Sequence, residues 1–129
     1  VMISPDLYAK ICSSAMEKFG KEFGGIVFHS CGDWSARIPV VKALGGLVAV
    51  DGAFTLATDP EPNPPSPFRD AFRGTGVCVN ARMVGDPQVV LDTAKNLWAP
   101  DMKMIVVTYG RNPEEQKYLY EAIHEIAQS

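Results

Sequence analysis

The alternation of short apolar segments with helix-forming segments constrains the fold of this chain more than any other feature. The apolar segments are IVFHS at 26–30, LVAVD at 47–51, VCVNA at 77–81 and KMIVVT at 103–108. They lack a clean apolar–polar alternation, which is typical of parallel strands with both faces covered by helices. The predicted order is therefore αβαβαβαβα, with four parallel strands, half the number in a (β/α)8 barrel.

A capping residue followed by proline marks four helix starts, at Ser4-Pro5, Ser66-Pro67, Asp86-Pro87 and Asn112-Pro113. Proline at the first helical position loses no hydrogen bond, because its missing N–H would be unpaired there. These four starts predict helices at 5–23, 67–72, 87–98 and 113–127. A further helix is predicted at 35–44, ended by Gly45-Gly46, and Pro39 inside it predicts either a kink or a later start.

The first predicted helix has apolar residues four positions apart. Leu7, Ile11, Ala15 and Phe19 would form one face, and Gly24-Gly25 would end the helix.

Length, charge and cysteine content exclude several classes of protein. A chain of 129 residues is long enough for a single domain. A net charge of −3 gives no electrostatic reason to expect nucleic acid or an anionic membrane as a partner. No signal peptide or membrane-spanning segment is visible in the sequence. Three cysteines without a dense framework favour a reducing compartment, so the expected location is the cytoplasm.

Each predicted strand ends in polar side chains, and parallel strands bring these ends to one edge of the sheet, where sites form in α/β folds. The polar residues are His29, Cys31, Asp51, Asn80, Arg82, Thr108 and Tyr109.

His29 and Cys31 are two residues apart on a strand, so their side chains leave the same face. A thiolate and an imidazole together suit zinc better than magnesium or calcium. A catalytic zinc usually takes three protein ligands, and the candidates for the third are Cys78 and Asp51. The pair could equally lie where a buried strand meets a turn.

The other residues near the strand ends have alternative interpretations. Arg82 could bind a carboxylate or phosphate, or it could form a structural ion pair with Asp86. Asp33 is predicted to cap the next helix. Trp34 is either an anchor of that helix or a cover for the site.

Four segments resemble the uroporphyrinogen decarboxylase-like superfamily, which also contains the cobamide-dependent methyltransferases. They are HSCGD at 29–33, ALGGLVAVD at 43–51, GVCVNARMVGDPQVVLDTAKNL at 76–97 and MIVVTYGRNPEEQKYLYEAIHEI at 104–126. The resemblance implies a TIM-barrel fold in which residues 1–129 form one domain, the C-terminal half of the barrel. The chain would then be a fragment of a longer protein.

In the methyltransferase branch, the His-x-Cys pair binds zinc, and the metal activates a thiol that accepts a methyl group from a corrinoid. The resemblance therefore implies zinc at His29 and Cys31, a small-molecule substrate and a possible corrinoid protein as partner. The family's third ligand is a cysteine after the last strand, and residues 107–110 (VTYG) contain none. The decarboxylases use arginines and aspartates of the N-terminal half, and a histidine after the last strand that this sequence also lacks.

Three hypotheses follow. The first is a zinc-dependent methyltransferase in which Asn80 and Arg82 position an anionic group. The second is a metal-free lyase that acts on a carboxylated tetrapyrrole, with Asp51 or Tyr109 transferring protons. The third is a non-catalytic half-barrel that binds a small molecule or a partner. Such a half-barrel leaves two strand edges and an apolar concave face uncovered, and it would pair with a second copy or with a missing N-terminal half.

Overall fold

The computed structural model describes residues 3–129, which form a sheet of four parallel strands flanked by helices. The strands are β1 (Ile26–His29), β2 (Leu47–Ala53), β3 (Cys78–Arg82) and β4 (Lys103–Val107), and they pair in the order β1-β2-β3-β4. This confirms the predicted α/β class and the parallel sheet. The four strands fit half of a barrel. No helix within residues 3–129 is long and apolar enough to cross a membrane.

The helices begin close to the predicted positions. They are α1 (Pro5–Ile11), α2 (Ser13–Phe23), α3 (Ile38–Lys42), α4 (Pro65–Phe72), α5 (Pro87–Leu97) and α6 (Pro113–Gln128), with a 3-10 turn at Ser35–Arg37. The side chains of Ser4, Asp86 and Asn112 cap α1, α5 and α6 as predicted. The predicted cap at Ser66 is wrong, because α4 begins at Pro65 after an extended Pro64.

Two predicted helices differ in detail. The first is divided at Cys12, although Cys12 N–H still donates to Tyr8 and Met16 N–H donates to Cys12, so the hydrogen-bonded path continues through the junction. The second starts later than Ser35, and Pro39 lies in the first turn of α3. Proline is tolerated there because its missing N–H has no partner in a first turn.

The sheet has one face covered by helices and one open face. On the covered face, Phe28, Val50 and Val79 are at most 3% exposed. On the opposite face, Val27 and Ile105 are each 55% exposed. The expectation that both faces are covered is therefore wrong for this chain, since the burial of β1, β3 and β4 alternates residue by residue.

The core on the covered face is built from aromatic side chains. The indole of Trp34 is fully buried, and it makes edge contacts with the rings of Phe28 and Phe68. Phe68 also contacts Phe54 and Phe72. Trp34 is thus a core anchor at the start of the helical segment after β1, and it does not cover the site.

The apolar face predicted for the first helix is not the face that packs. Leu7, Ile11 and Phe19 are 42%, 61% and 57% exposed. Tyr8 and Met16 pack against the core instead. The four-residue spacing correctly predicted that these side chains share an apolar face, but nothing in the described chain covers that face.

Candidate functional site

The segment after β1 carries His29 and Cys31, and two hydrogen bonds hold it in place. The N–H of Gly32 donates to Asp59 Oδ2 at 3.0 Å, and the N–H of Trp34 donates to Asn63 Oδ1 at 2.9 Å. Gly32 has φ +71°, a left-handed conformation that favours glycine. The turn after Cys31 therefore depends on both a glycine and a loop from elsewhere in the chain.

That loop lies between β2 and α4. The sequence analysis did not identify its Asp59 and Asn63 as residues that support the site. Asn63 is buried and also donates from Nδ2 to the carbonyl of Ala53, at the end of β2. The N–H groups of Glu61 and Gly32 donate to the Asp59 carboxylate and hold its pKa below the usual value. The Asp59-Pro60 pair was the available signal, since aspartate before proline marks a turn.

His29 lies between a carboxylate and a thiol. Its Nδ1 hydrogen-bonds to Asp51 Oδ2, and its Nε2 lies 3.8 Å from Cys31 Sγ. Because a carboxylate only accepts hydrogen bonds, Nδ1 is the donor, and in the neutral ring Nε2 then presents its lone pair on the side of the sulfur. The Asp51 side chain is only 12% exposed, whereas the His29 side chain is 54% exposed and reachable from solvent.

Asp51 is held from the other side by β3. Asn80 Nδ2 donates to Asp51 Oδ1 at 2.8 Å, and Arg82 Nε lies 3.2 Å from both carboxylate oxygens. Strand register explains the arrangement, because His29, Asp51 and Asn80 share one rung across β1, β2 and β3. Asn80 and Arg82 thereby fix the carboxylate that orients His29.

Arg82 does not form the alternative ion pair with Asp86, whose side chain caps α5. Its Nη2 is buried without a hydrogen-bond partner in the described part of the chain. The Nη2 group of the guanidinium is therefore left unsatisfied beneath the surface beside the Asp51 carboxylate.

Two predicted site residues lie apart from this cluster. Cys78 is in register with Ala49, two residues before Asn80, and it lines a cavity beside β4 and α6. Tyr109 follows β4 at the other edge of the sheet and is 66% exposed. Residues 3–129 contain no group of three histidine, cysteine or acidic side chains arranged to hold a metal.

The spacing of His29 and Cys31 nevertheless fits two ligands of one zinc ion. Ordinary Zn–N and Zn–S distances at a tetrahedral angle place the two donor atoms about 3.6 Å apart. The observed separation is 3.8 Å. A ligating histidine usually donates its second ring N–H to a carboxylate, and Asp51 provides that acceptor. The donor set is therefore suitable for zinc, with two of the three usual protein ligands.

Comparison with protein-family models, with curated proteins and with solved structures finds no match for this chain.

Proposed function

We propose that this chain carries the zinc-binding, thiol-activating site of a methyltransferase similar to the cobamide-dependent members of the uroporphyrinogen decarboxylase-like superfamily. The observation that supports this proposal best is the 3.8 Å separation of His29 Nε2 and Cys31 Sγ, with Nδ1 of the same ring on Asp51. The substrate is a small thiol, and a corrinoid is the methyl donor.

The residues of the chain have distinct parts in this function. His29 and Cys31 would hold zinc, which supplies the positive charge that lowers the pKa of a thiol. Asp51 accepts from His29 Nδ1–H and keeps Nε2 free to act as a ligand. Asn80 and Arg82 keep the Asp51 carboxylate in place. The Arg82 side chain is 30% exposed, so its guanidinium can bind an anionic group of the thiol substrate.

The metal-free lyase remains the second candidate, and one observation favours it. The Arg82 side chain is 30% exposed on the open face, and a carboxylated tetrapyrrole would supply acceptors for its guanidinium. Against it, the Asp51 carboxylate already accepts from three side chains, which leaves it poorly placed to transfer protons. Tyr109 lies at the far edge of the sheet, after β4.

The zinc affinity of the chain tests the proposal directly. It is measured by competition with a chromophoric chelator. The wild-type chain should bind one zinc ion. His29→Gln and Cys31→Ser should each weaken binding at least about 100-fold, because each removes one of only two protein ligands. Cys12→Ser and Cys78→Ser are the matched controls, and both should bind zinc like the wild type.

A second measurement tests the reaction. The zinc-loaded chain is mixed with methylcobalamin and 2-mercaptoethanol, and methylation of the thiol is followed by loss of the cobalt–carbon absorption. We expect zinc-dependent turnover that Cys31→Ser abolishes. Equal zinc affinity in the wild type and the double variant His29→Gln/Cys31→Ser would refute the proposal. Tight binding of a porphyrinogen analogue that Arg82→Ala weakens, without zinc, would favour the lyase instead.

A further inference from the structure

A cavity of about 650 Å³ lies between β4 and the inner side of α6. Pockets that hold small organic ligands usually have volumes of about 300–1,000 Å³. The strand order places β4 three strand spacings from β1, so roughly 14 Å of sheet separates β4 from His29 and Cys31. The cavity is therefore a separate place on the molecule, and the proposed zinc site gives it no role.

The cavity is elongated along the two elements that form it. Its lining extends along β4 from Lys103 to Thr108 and along α6 from Gln116 to Ala127. At about 3.3 Å per strand residue and about 1.5 Å per helical residue, each of these stretches is roughly 16 Å long. The shape therefore suits an extended chain better than a compact group.

The side chains of the lining are mostly apolar and only partly buried. Trp98, Met104, Val106 and Ile123 pack against the core with one side and line the cavity with another. Ile105 is 55% exposed. Removal of such surface from water is favourable in proportion to its area. An alkyl chain in the cavity would therefore be stabilised along most of its length.

The lining carries one positive charge and no negative charge within residues 3–129. Lys103, the first residue of β4, is exposed, and its ammonium group forms no ion pair with another described residue. His124 also lines the cavity, and its Nδ1–H donates to the carbonyl of Tyr120 at 2.7 Å. An anionic group beside Lys103 would keep part of its hydration while an attached apolar chain is buried.

We propose that this cavity binds a linear medium-chain carboxylate, the anion of a fatty acid. Its alkyl chain lies between β4 and α6, and its carboxylate lies beside Lys103. The elongated apolar lining selects the chain, and the single lysine without acidic neighbours in the lining selects the negative charge. This binding site goes beyond the proposed function and does not depend on zinc.

Fluorescence titration of the whole chain with decanoate tests the proposal, at concentrations where decanoate does not aggregate. Trp98 lines the cavity and reports on it, whereas Trp34 is fully buried against Phe28 and Phe68 and gives a constant signal. We expect a saturable shift of the emission with one decanoate per chain. Affinity should rise at least about tenfold from octanoate to decanoate, because each buried methylene tightens binding about fourfold.

The charge is tested by Lys103→Gln, with decanol as the uncharged ligand. Lys103→Gln should weaken decanoate binding about threefold, as expected for an exposed ion pair, and leave decanol binding unchanged. Added salt should weaken decanoate binding to the wild type more than to this variant. Lys95→Gln is the matched control, since Lys95 is an exposed lysine of α5 outside the lining, and it should change neither ligand.

The position of the chain is tested by Ile123→Ser. This variant should weaken decanoate and decanol alike, at least about fivefold, because it removes part of the apolar wall. Phe19→Ser is the matched control. Phe19 is an apolar residue of α2 that is 57% exposed and lies outside the cavity, so its replacement should change neither affinity.

Four results would overturn the proposal. One is the absence of saturable binding, and another is equal decanoate affinity in Lys103→Gln and the wild type. The third is loss of binding in Phe19→Ser but not in Ile123→Ser, which would place the ligand on the exposed face of α2. The fourth is an affinity that falls as the protein concentration rises, which would show that a second copy occupies the cavity.

Two features keep the test decisive. If circular dichroism shows that Ile123→Ser does not fold, the chain-length series and Lys103→Gln still decide. Zinc affinity is measured without decanoate, so failure of this proposal leaves the proposed function untouched.

Discussion

The two faces of the sheet carry different kinds of side chain. On the covered face, apolar side chains such as Phe28, Val50 and Val79 are buried under helices. On the open face, the same three strands place His29, Asp51 and Asn80 on one rung. Alternation along each strand is what allows both, since neighbouring residues point to opposite faces. Stability is therefore expected to depend on the covered face, and chemistry on the open face.

The largest expected effect tests the covered face. Phe68→Ala removes a fully buried ring that contacts Trp34, Phe54 and Phe72. The loss of buried area and the cavity left behind should lower the free energy of unfolding by about 3–5 kcal/mol. Urea denaturation followed by circular dichroism measures the change. A cost below about 1 kcal/mol would mean that this face does not carry the stability.

An intermediate effect, on both unfolding free energy and zinc affinity, is expected for substitution of Asp51. Asp51→Asn removes the carboxylate that Arg82 Nε and His29 Nδ1 share. The unpaired guanidinium should cost about 1–3 kcal/mol of unfolding free energy. Zinc affinity should fall about 10- to 100-fold, because the ring loses its orienting acceptor. The control Asp33→Asn alters a carboxylate that accepts from Ser35 N–H, and its zinc affinity should stay unchanged. If Asp51→Asn binds zinc as tightly as the wild type, Asp51 does not orient His29 for the metal.

A pH-dependent effect is expected at the loop that supports Cys31. Because two backbone N–H groups lower the pKa of Asp59, the ionised carboxylate stabilises the fold. This stability is fully present above the unfolded pKa of about 3.9 and is lost as the pH falls through the lower folded value. The difference in melting temperature between the wild type and Asp59→Asn should therefore shrink as the pH falls below about 4. A difference that stays constant down to pH 2 would contradict this assignment.

The smallest effect is expected on the open face. Ile105→Ala removes a side chain that is 55% exposed, so unfolding free energy should change by less than about 0.5 kcal/mol. Denaturation under the conditions used for Phe68→Ala gives a direct comparison. A cost similar to that of Phe68→Ala would show that the open face is already covered in the isolated chain.

The sequence predicted what depends on local chemistry. Caps at Ser4, Asp86 and Asn112 are local hydrogen bonds, and the four strands follow from short apolar segments. The sequence also placed His29 and Cys31 together, because residues two apart on a strand share a face.

What the sequence could not predict depends on partners distant in the chain. Leu7 and Ile11 belong to the predicted apolar face of the first helix, but a periodic pattern does not show whether anything covers such a face. The bond from Asn80 to Asp51 requires the register of β2 against β3. The support of Gly32 by Asp59 spans 27 residues through a loop without periodicity.

X-ray absorption at the zinc edge of the zinc-loaded chain identifies the donor atoms and so decides whether His29 and Cys31 bind the metal. We predict one sulfur at about 2.3 Å and one imidazole nitrogen at about 2.0–2.1 Å, with light atoms from solvent completing the shell. Cys78→Ser should leave this spectrum unchanged. Two sulfur donors, or a spectrum without sulfur, would contradict a site built on His29 and Cys31.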